Sequence, residues 1–181
     1  MNKVVLTVAL LGSLAAPRLA AAEGGYLSLG VGSSASLGGD LSGYESTGRS
    51  ARLSIGQRFG RLGLEAGIGG YGFEFGNAGN YDALGLGVYG RYSRPLVGKL
   101  EGFGRFGVER TWLRPDSTTG REFKGNGIAL GAGLEYGLDL GLAGGAVFLD
   151  WTLHSAGVSN QFGDDLDTTS NMWTLGLAVS L

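Results

Sequence analysis

The 181-residue chain has no cysteine, three prolines, one histidine and three lysines, and no apolar run long enough to cross a bilayer as a helix. Without cysteine there is no disulfide framework, no thiolate metal site and no N-terminal cysteine to carry a lipid anchor. Few prolines and an absence of good 3.6-residue patterns leave little room for helices or stiff linkers. The net charge of −2 argues against nucleic acid as a partner.

Glycine is abundant instead, at 37 residues. It does not recur every third residue, so a collagen-like helix is excluded. It alternates with Leu, Val, Ile and Tyr, which gives strands with one bulky and one bare face.

The first residues read as an export signal. Lys3 gives a positive start, Val4 to Ala16 is largely apolar, Pro17 breaks the run, and Ala20-Ala21-Ala22 supplies a cleavage site. Cutting after Ala22 leaves residues 23–181 as one domain. An anchoring helix is the alternative, but the apolar run is about half the roughly 20 residues a span needs.

Period-two alternation predicts eight strands: Gly25 to Leu37, Arg49 to Phe59, Leu62 to Phe73, Tyr81 to Tyr92, Leu100 to Trp112, Asn126 to Tyr136, Gly145 to His154, and Met172 to Leu181. Longer polar loops are expected at 38–48, 74–80, 113–125 and 155–171. Shorter turns are expected at 60–61, 93–99 and 137–144, the second containing proline. Long and short connections in alternation, with an even strand count, predict an all-β, eight-stranded antiparallel up-and-down transmembrane barrel.

Alternation alone does not say which face points inward, since a soluble barrel and a membrane barrel have opposite sidedness. The aromatics decide it. If the apolar face meets lipid, Phe59, Tyr92 and Tyr136 end the downward strands at the periplasmic interface. Trp112, Trp151 and Trp173 then lie in the outer half. Two aromatic girdles are what a membrane barrel presents at its two water boundaries.

The opposite face carries Arg52, Arg58, Glu65, Arg91, Glu101, Arg105, Glu109, Glu135 and Asp150. In mid-bilayer lipid an ion costs roughly 2–4 kcal/mol. Eight strands enclose an interior just wide enough for side chains. The expected lumen is therefore plugged by an Arg–carboxylate network of Arg52, Glu65, Arg91, Glu101, Arg105, Glu109, Glu135 and Asp150. Inward glycines leave room for it and for Tyr89, Phe103 and Phe148.

Three segments carry a family resemblance: Gly127-Ile-Ala-Leu-Gly-Ala-Gly-Leu-Glu-Tyr136, Phe148-Leu-Asp-Trp151, and the terminal Trp173-Thr-Leu-Gly-Leu-Ala-Val-Ser-Leu181. In these the chain resembles the small outer-membrane β-barrel superfamily, which holds the OmpA-type transmembrane domain and the OmpX-like barrels. The resemblance implies an outer-membrane location and insertion by the barrel-assembly machinery. The family usually ends in an aromatic; here Leu181 stands last, with Val179 two positions earlier. As the chain stops with the barrel, no peptidoglycan-binding domain is expected to follow.

Candidate chemistry is sparse, and no cofactor, metal or catalytic group is assigned. His154 has inward parity, which suits a lumen or capping role. Lipid A deacylases among eight-stranded barrels place His and Ser two apart on the lipid face. Here Ser155 is adjacent to His154 and faces the other way, and no Glu follows. Asp164, Asp165 and Asp167 lack calcium-loop spacing and read as a solvated loop. Arg49, Arg110 and Arg114 lie near the outer rim, where a guanidinium can pair with lipopolysaccharide phosphates or reach up to water. The expected function is a structural or surface-interaction role through the extracellular loops. A narrow solute channel and a lipid A-modifying enzyme are the alternatives.

Overall fold

The computed structural model describes residues 24–76, 79–116, 120–140 and 143–181. The expected export signal, residues 1–22, lies outside them, as do residues 77–78, 117–119 and 141–142 of three connections. Nine strand segments follow one another: β1 (Gly25–Gly32), β2 (Ser36–Gly39), β3 (Ser46–Phe59), β4 (Leu62–Glu74), β5 (Asn80–Val97), β6 (Leu100–Pro115), β7 (Phe123–Leu140), β8 (Ala143–Ser159) and β9 (Asp165–Ser180). All pair antiparallel in the order β1-β3-β4-β5-β6-β7-β8-β9, and β1 also pairs with β9, which closes the ring. Every stave thus has a partner on both sides, as a lipid environment demands of backbone polar groups.

The first strand is not continuous to Leu37 as expected. It breaks after Gly32, and β2 pairs only with β9. The Ser33 hydroxyl bonds to the neighbouring Ser34 carbonyl, and the Ser33 carbonyl accepts from both the amide and the hydroxyl of Ser50. Serine groups thereby replace part of the ladder. β1 and β2 together make one stave, so the barrel has eight.

The proline segment is likewise no turn. β5 runs through Pro95 to Val97, and the turn is Gly98–Lys99. The Ser93 amide donates across to the Arg61 carbonyl of the neighbouring hairpin turn. Two residues on, Pro95 faces the same side, where β4 has already ended, so its missing N–H costs no ladder bond. Both described inner hairpins turn on a glycine with positive φ, Gly60 at 63° and Gly98 at 57°. The expected 137–144 turn is also mostly strand, since β7 continues to Leu140 and β8 resumes at Ala143.

The outer connection at 75–79 lies close to the expected 74–80, whereas the other three, 40–45, 116–122 and 160–164, are much shorter than expected. The missing residues are in strands. On β5 and β7 the outward apolar band runs from Leu84 to Tyr92 and from Ile128 to Tyr136. Eight residue steps are about 27 Å along a strand, or about 21 Å along the membrane normal at a tilt near 40°. That is close to the roughly 25 Å apolar band of an outer-membrane barrel.

Above that band the strands continue and the polarity of their two faces exchanges. Asp82, Arg114, Lys124, Asn126 and Asp167 now point outward and are exposed. Phe73, Tyr81, Leu113, Phe123, Ala156 and Val158 point inward and are buried, joined by Leu41 from the 40–45 loop, which is 0 % exposed. On β6 and β7 the register runs on unbroken from Leu100↔Tyr136 to Leu113↔Phe123; it is the solvent outside that changes. Where lipid surrounds the barrel, apolar side chains face out. Where water surrounds it, the hydrophobic effect turns them in.

Candidate functional site

The inner part of the lumen holds side chains of alternating charge. At the inner end Arg58 reaches Glu101 at 3.3 Å and also bonds Glu135. Glu135 is shared with Arg91 at 2.7 Å, and Arg91 contacts Glu65 at 3.3 Å. Arg105 lies 3.9 Å from Glu65 and 2.8 Å from Asp150, and Arg52 meets the same Asp150 oxygen at 2.7 Å. The result is one chain, Glu101–Arg58–Glu135–Arg91–Glu65–Arg105–Asp150–Arg52, of four cations and four anions. Strict alternation lets each buried ion offset its neighbours' desolvation.

Aromatic and hydroxyl groups complete the packing. Tyr26 donates to Glu65, and Arg105 donates to Thr152. The Arg91 guanidinium carbon stands 3.9 Å from the Phe103 ring centre, and that of Arg52 5.5 Å from Phe148. Glycines make this possible. A Cβ on Gly176 would lie 2.3 Å from the Phe148 ring and 2.4 Å from the Leu29 carbonyl oxygen, and one on Gly133 would lie 2.7 Å from the Phe103 ring.

Glu109 does not join that chain. It bonds His154 Nδ1 at 2.9 Å and accepts from the Tyr89 hydroxyl at 3.3 Å. These three groups border a cavity of about 60 Å³, which Arg52, Thr111, Thr152, Ser170 and Tyr71 also line. Such a volume has room for a few water molecules. The buried Thr111 hydroxyl faces it with no protein partner. The Leu41, Phe73, Tyr81, Leu113, Phe123 and Val158 cluster lies at the outer end.

All eight residues of the expected network thus lie in the lumen, seven in the alternating chain and Glu109 with His154. Arg58, on the same face but outside that set, proves to be the link between Glu101 and Glu135. Its inward parity was the available signal. The apolar outer cluster was not expected. Continued alternation past Trp112, Asn126 and His154 would have found Leu113, Phe123 and Ala156–Val158.

On the outside, Phe59 is exposed at the inner end of β3, Tyr92 and Tyr136 are exposed in the inner parts of β5 and β7, and Trp173 is exposed beside its half-buried cross-strand partner Trp151. Trp112 pairs across the ladder with Leu84 and Lys124. Arg49, Arg110 and Arg114 are all exposed and point outward. They do not form one cluster: Arg49 lies on β3, and the other two lie on β6.

At the 160–164 turn, Asp164 bonds the Asn160 amide at 2.7 Å and Arg121 at 2.6 Å. The Asn160 hydrogen bond, with Arg121 beside it, holds the Asp164 carboxyl below the usual aspartate range. Asp164 is thereby committed to an amide and a guanidinium. Among the described residues no cluster of His, Cys, Asp and Glu could hold a metal ion.

Residues 6–180 match the family model described as outer membrane protein beta-barrel domain. No curated protein matches the chain. Among solved structures, Neisserial surface protein A (NspA) is similar with a TM-score of 0.69 and 14 % identity, over 87 % of this chain and 97 % of that one. Ail, the attachment invasion locus protein of Yersinia pestis, in complex with the heparin analogue sucrose octasulfate, gives 0.54 and 17 % over 88 % and 99 %. The N-terminal β-barrel domain of Pseudomonas aeruginosa OprF gives 0.53 and 14 % over 88 % and 98 %. At these identities the likeness is one of fold.

Proposed function

Because this chain belongs to the outer membrane protein beta-barrel family, we propose that it serves the bacterial outer membrane as a closed barrel with a structural and surface-interaction role. The observation that carries the reading is the packing of the lumen at two levels. The ladder of four Arg and four carboxylates lies in the lipid-embedded part, and the apolar cluster around Leu113 and Phe73 lies in the water-exposed part. A solute would have to separate buried ion pairs below and apolar contacts above.

What the protein presents to the outside is the upper barrel wall and its short connections. Its outer-leaflet neighbour is lipopolysaccharide, and the barrel-assembly machinery inserts it. Ail, which shares the fold, holds a sulfated heparin analogue in its solved complex, which supports a role for this architecture in holding extracellular ligands. The reading is non-enzymatic: His154 faces inward to Glu109 while Ser155 faces the other side of the wall.

Planar-bilayer recording tests the closure. Purified refolded barrel is expected to give no steady unitary current. Reproducible single-channel steps would overturn the closed-lumen reading in favour of a narrow channel.

A further inference from the structure

We propose that the outward face of β6 and β7 at the outer membrane boundary is a binding site for the phosphates of lipopolysaccharide, built from Arg110, Lys124 and Trp112. The proposal rests on the outer-membrane reading above and deepens its lipid partner from a general surrounding to one side of the barrel.

The boundary can be located on these two strands residue by residue. Val108 is the last apolar outward residue of β6 below Arg110, and Ile128 is the last of β7 below Asn126. Arg110 and Asn126 are direct cross-strand partners, so they mark the same edge of the apolar band. The next outward pair is Trp112 and Lys124, one step of about 7 Å along the strands. Arg114 stands one step above Trp112. The cations therefore rise in file from the edge of the hydrocarbon, where the phosphates of an outer-leaflet lipid lie.

Their surroundings leave Arg110 and Lys124 available. Among the described residues neither is held in an ion pair, whereas Arg114 is bonded to Glu122 at 3.3 Å. The Arg110 guanidinium carbon stands 5.8 Å from the Trp112 ring centre, so the cation and the indole lie together on this face. Arginine binds a phosphate through two parallel N–H donors, and lysine adds a point charge.

The rest of the rim at this height is different in kind. The outward face of β8 and β9 carries Ser155, Gly157, Thr169 and Asn171, with Asp165 and Asp167 above. β4 and β5 present Gly72 and Asp82. Arg49 on β3 is the other outward cation near this level, isolated from the β6–β7 pair. Charge complementarity therefore selects a single side for a phosphorylated lipid.

The test uses the refolded barrel in detergent, titrated with lipid A, with lipid A stripped of its phosphates, and with phosphatidylglycerol. Wild type is expected to bind lipid A and to lose most of that affinity when the phosphates are absent. The double variant Arg110→Gln/Lys124→Gln is expected to bind lipid A about tenfold or more weakly, while Arg61→Gln, at the inner β3–β4 turn, stays near wild type. Heat-modifiable gel migration checks that each variant is folded. An unchanged affinity in the folded double variant would overturn the site while leaving the lipopolysaccharide partner standing. Equal competition by phosphatidylglycerol would overturn it in favour of a generic anionic-lipid surface. No lipid A binding by wild type would remove the partner reading itself.

Discussion

Removing Asp150 should cost far more than removing any other carboxylate of comparable charge near the lumen's ends. Its side chain is 0 % exposed and is shared by Arg52 at 2.7 Å and Arg105 at 2.8 Å. In Asp150→Ala, among the described residues, Arg105 keeps only Glu65 at 3.9 Å as a carboxylate partner and Arg52 keeps none. Breaking a buried pair by deleting one partner typically costs about 3–5 kcal/mol, because the charge left behind is buried and uncompensated. Glu101→Ala is the matched control. Glu101 is one-third exposed, and its partner Arg58 retains Glu135, so the loss should stay within about 1 kcal/mol. Both variants would be refolded into lipid vesicles and titrated with urea, with unfolding followed by tryptophan fluorescence. A loss of under about 1 kcal/mol for Asp150→Ala, or equal losses for the two variants, would refute the idea that the ladder is a set of mutually dependent buried ions.

Further outcomes follow from the same geometry. Val88→Arg, at the middle of the outward apolar band on β5, should cost about 2–4 kcal/mol in the vesicle titration, whereas Asn126→Arg at the boundary should cost at most about 1 kcal/mol. Gly176→Val forces a Cβ against the Phe148 ring and the Leu29 carbonyl and should destabilise by about 1–3 kcal/mol. Leu113→Ala opens a hole in the outer apolar cluster, costs about 2–5 kcal/mol, and still gives a silent planar bilayer because the ion ladder lies beneath. The depressed carboxyl of Asp164 contributes stability above the ordinary aspartate pKa of about 3.9. Any thermal-midpoint difference between wild type and Asp164→Asn should therefore be constant at neutral pH and disappear as pH falls through that range and below.

The eight-stave barrel was legible because strand alternation and lipid sidedness leave different marks on sequence. Positions such as Leu84, Val88 and Ile128 are apolar at every second residue, and the facing positions carry glycine or charge. The outer third resembles loop in the sequence for an equally physical reason. There the water-facing residues, such as Lys124, Asn126 and Asp167, are polar, and a polar stretch resembles a loop when only a lipid-facing strand is sought. The alternation itself persists through Leu113, Phe123 and Val158 with its sides exchanged. The Pro95 strand segment was hidden because sequence does not reveal that β4 has ended on that side. The split after Gly32 was hidden because it depends on Ser50, 17 residues beyond Ser33. Parity placed the ladder's members inside, but which Arg meets which carboxylate follows from strand stagger, which no single strand encodes.

The exchange of sidedness at the outer boundary is most directly tested by spin labels on β6. The absence of native cysteine makes each introduced one unique. Labels at Phe106, Val108, Arg110, Trp112 and Arg114 in lipid vesicles would be probed for collision with oxygen and with a water-soluble nickel complex. Oxygen contact is expected to dominate at 106 and 108 and nickel contact at 112 and 114, with the crossover at 110. Nickel contact at all five positions, or oxygen dominance persisting through 114, would contradict a barrel that changes solvent between Val108 and Trp112.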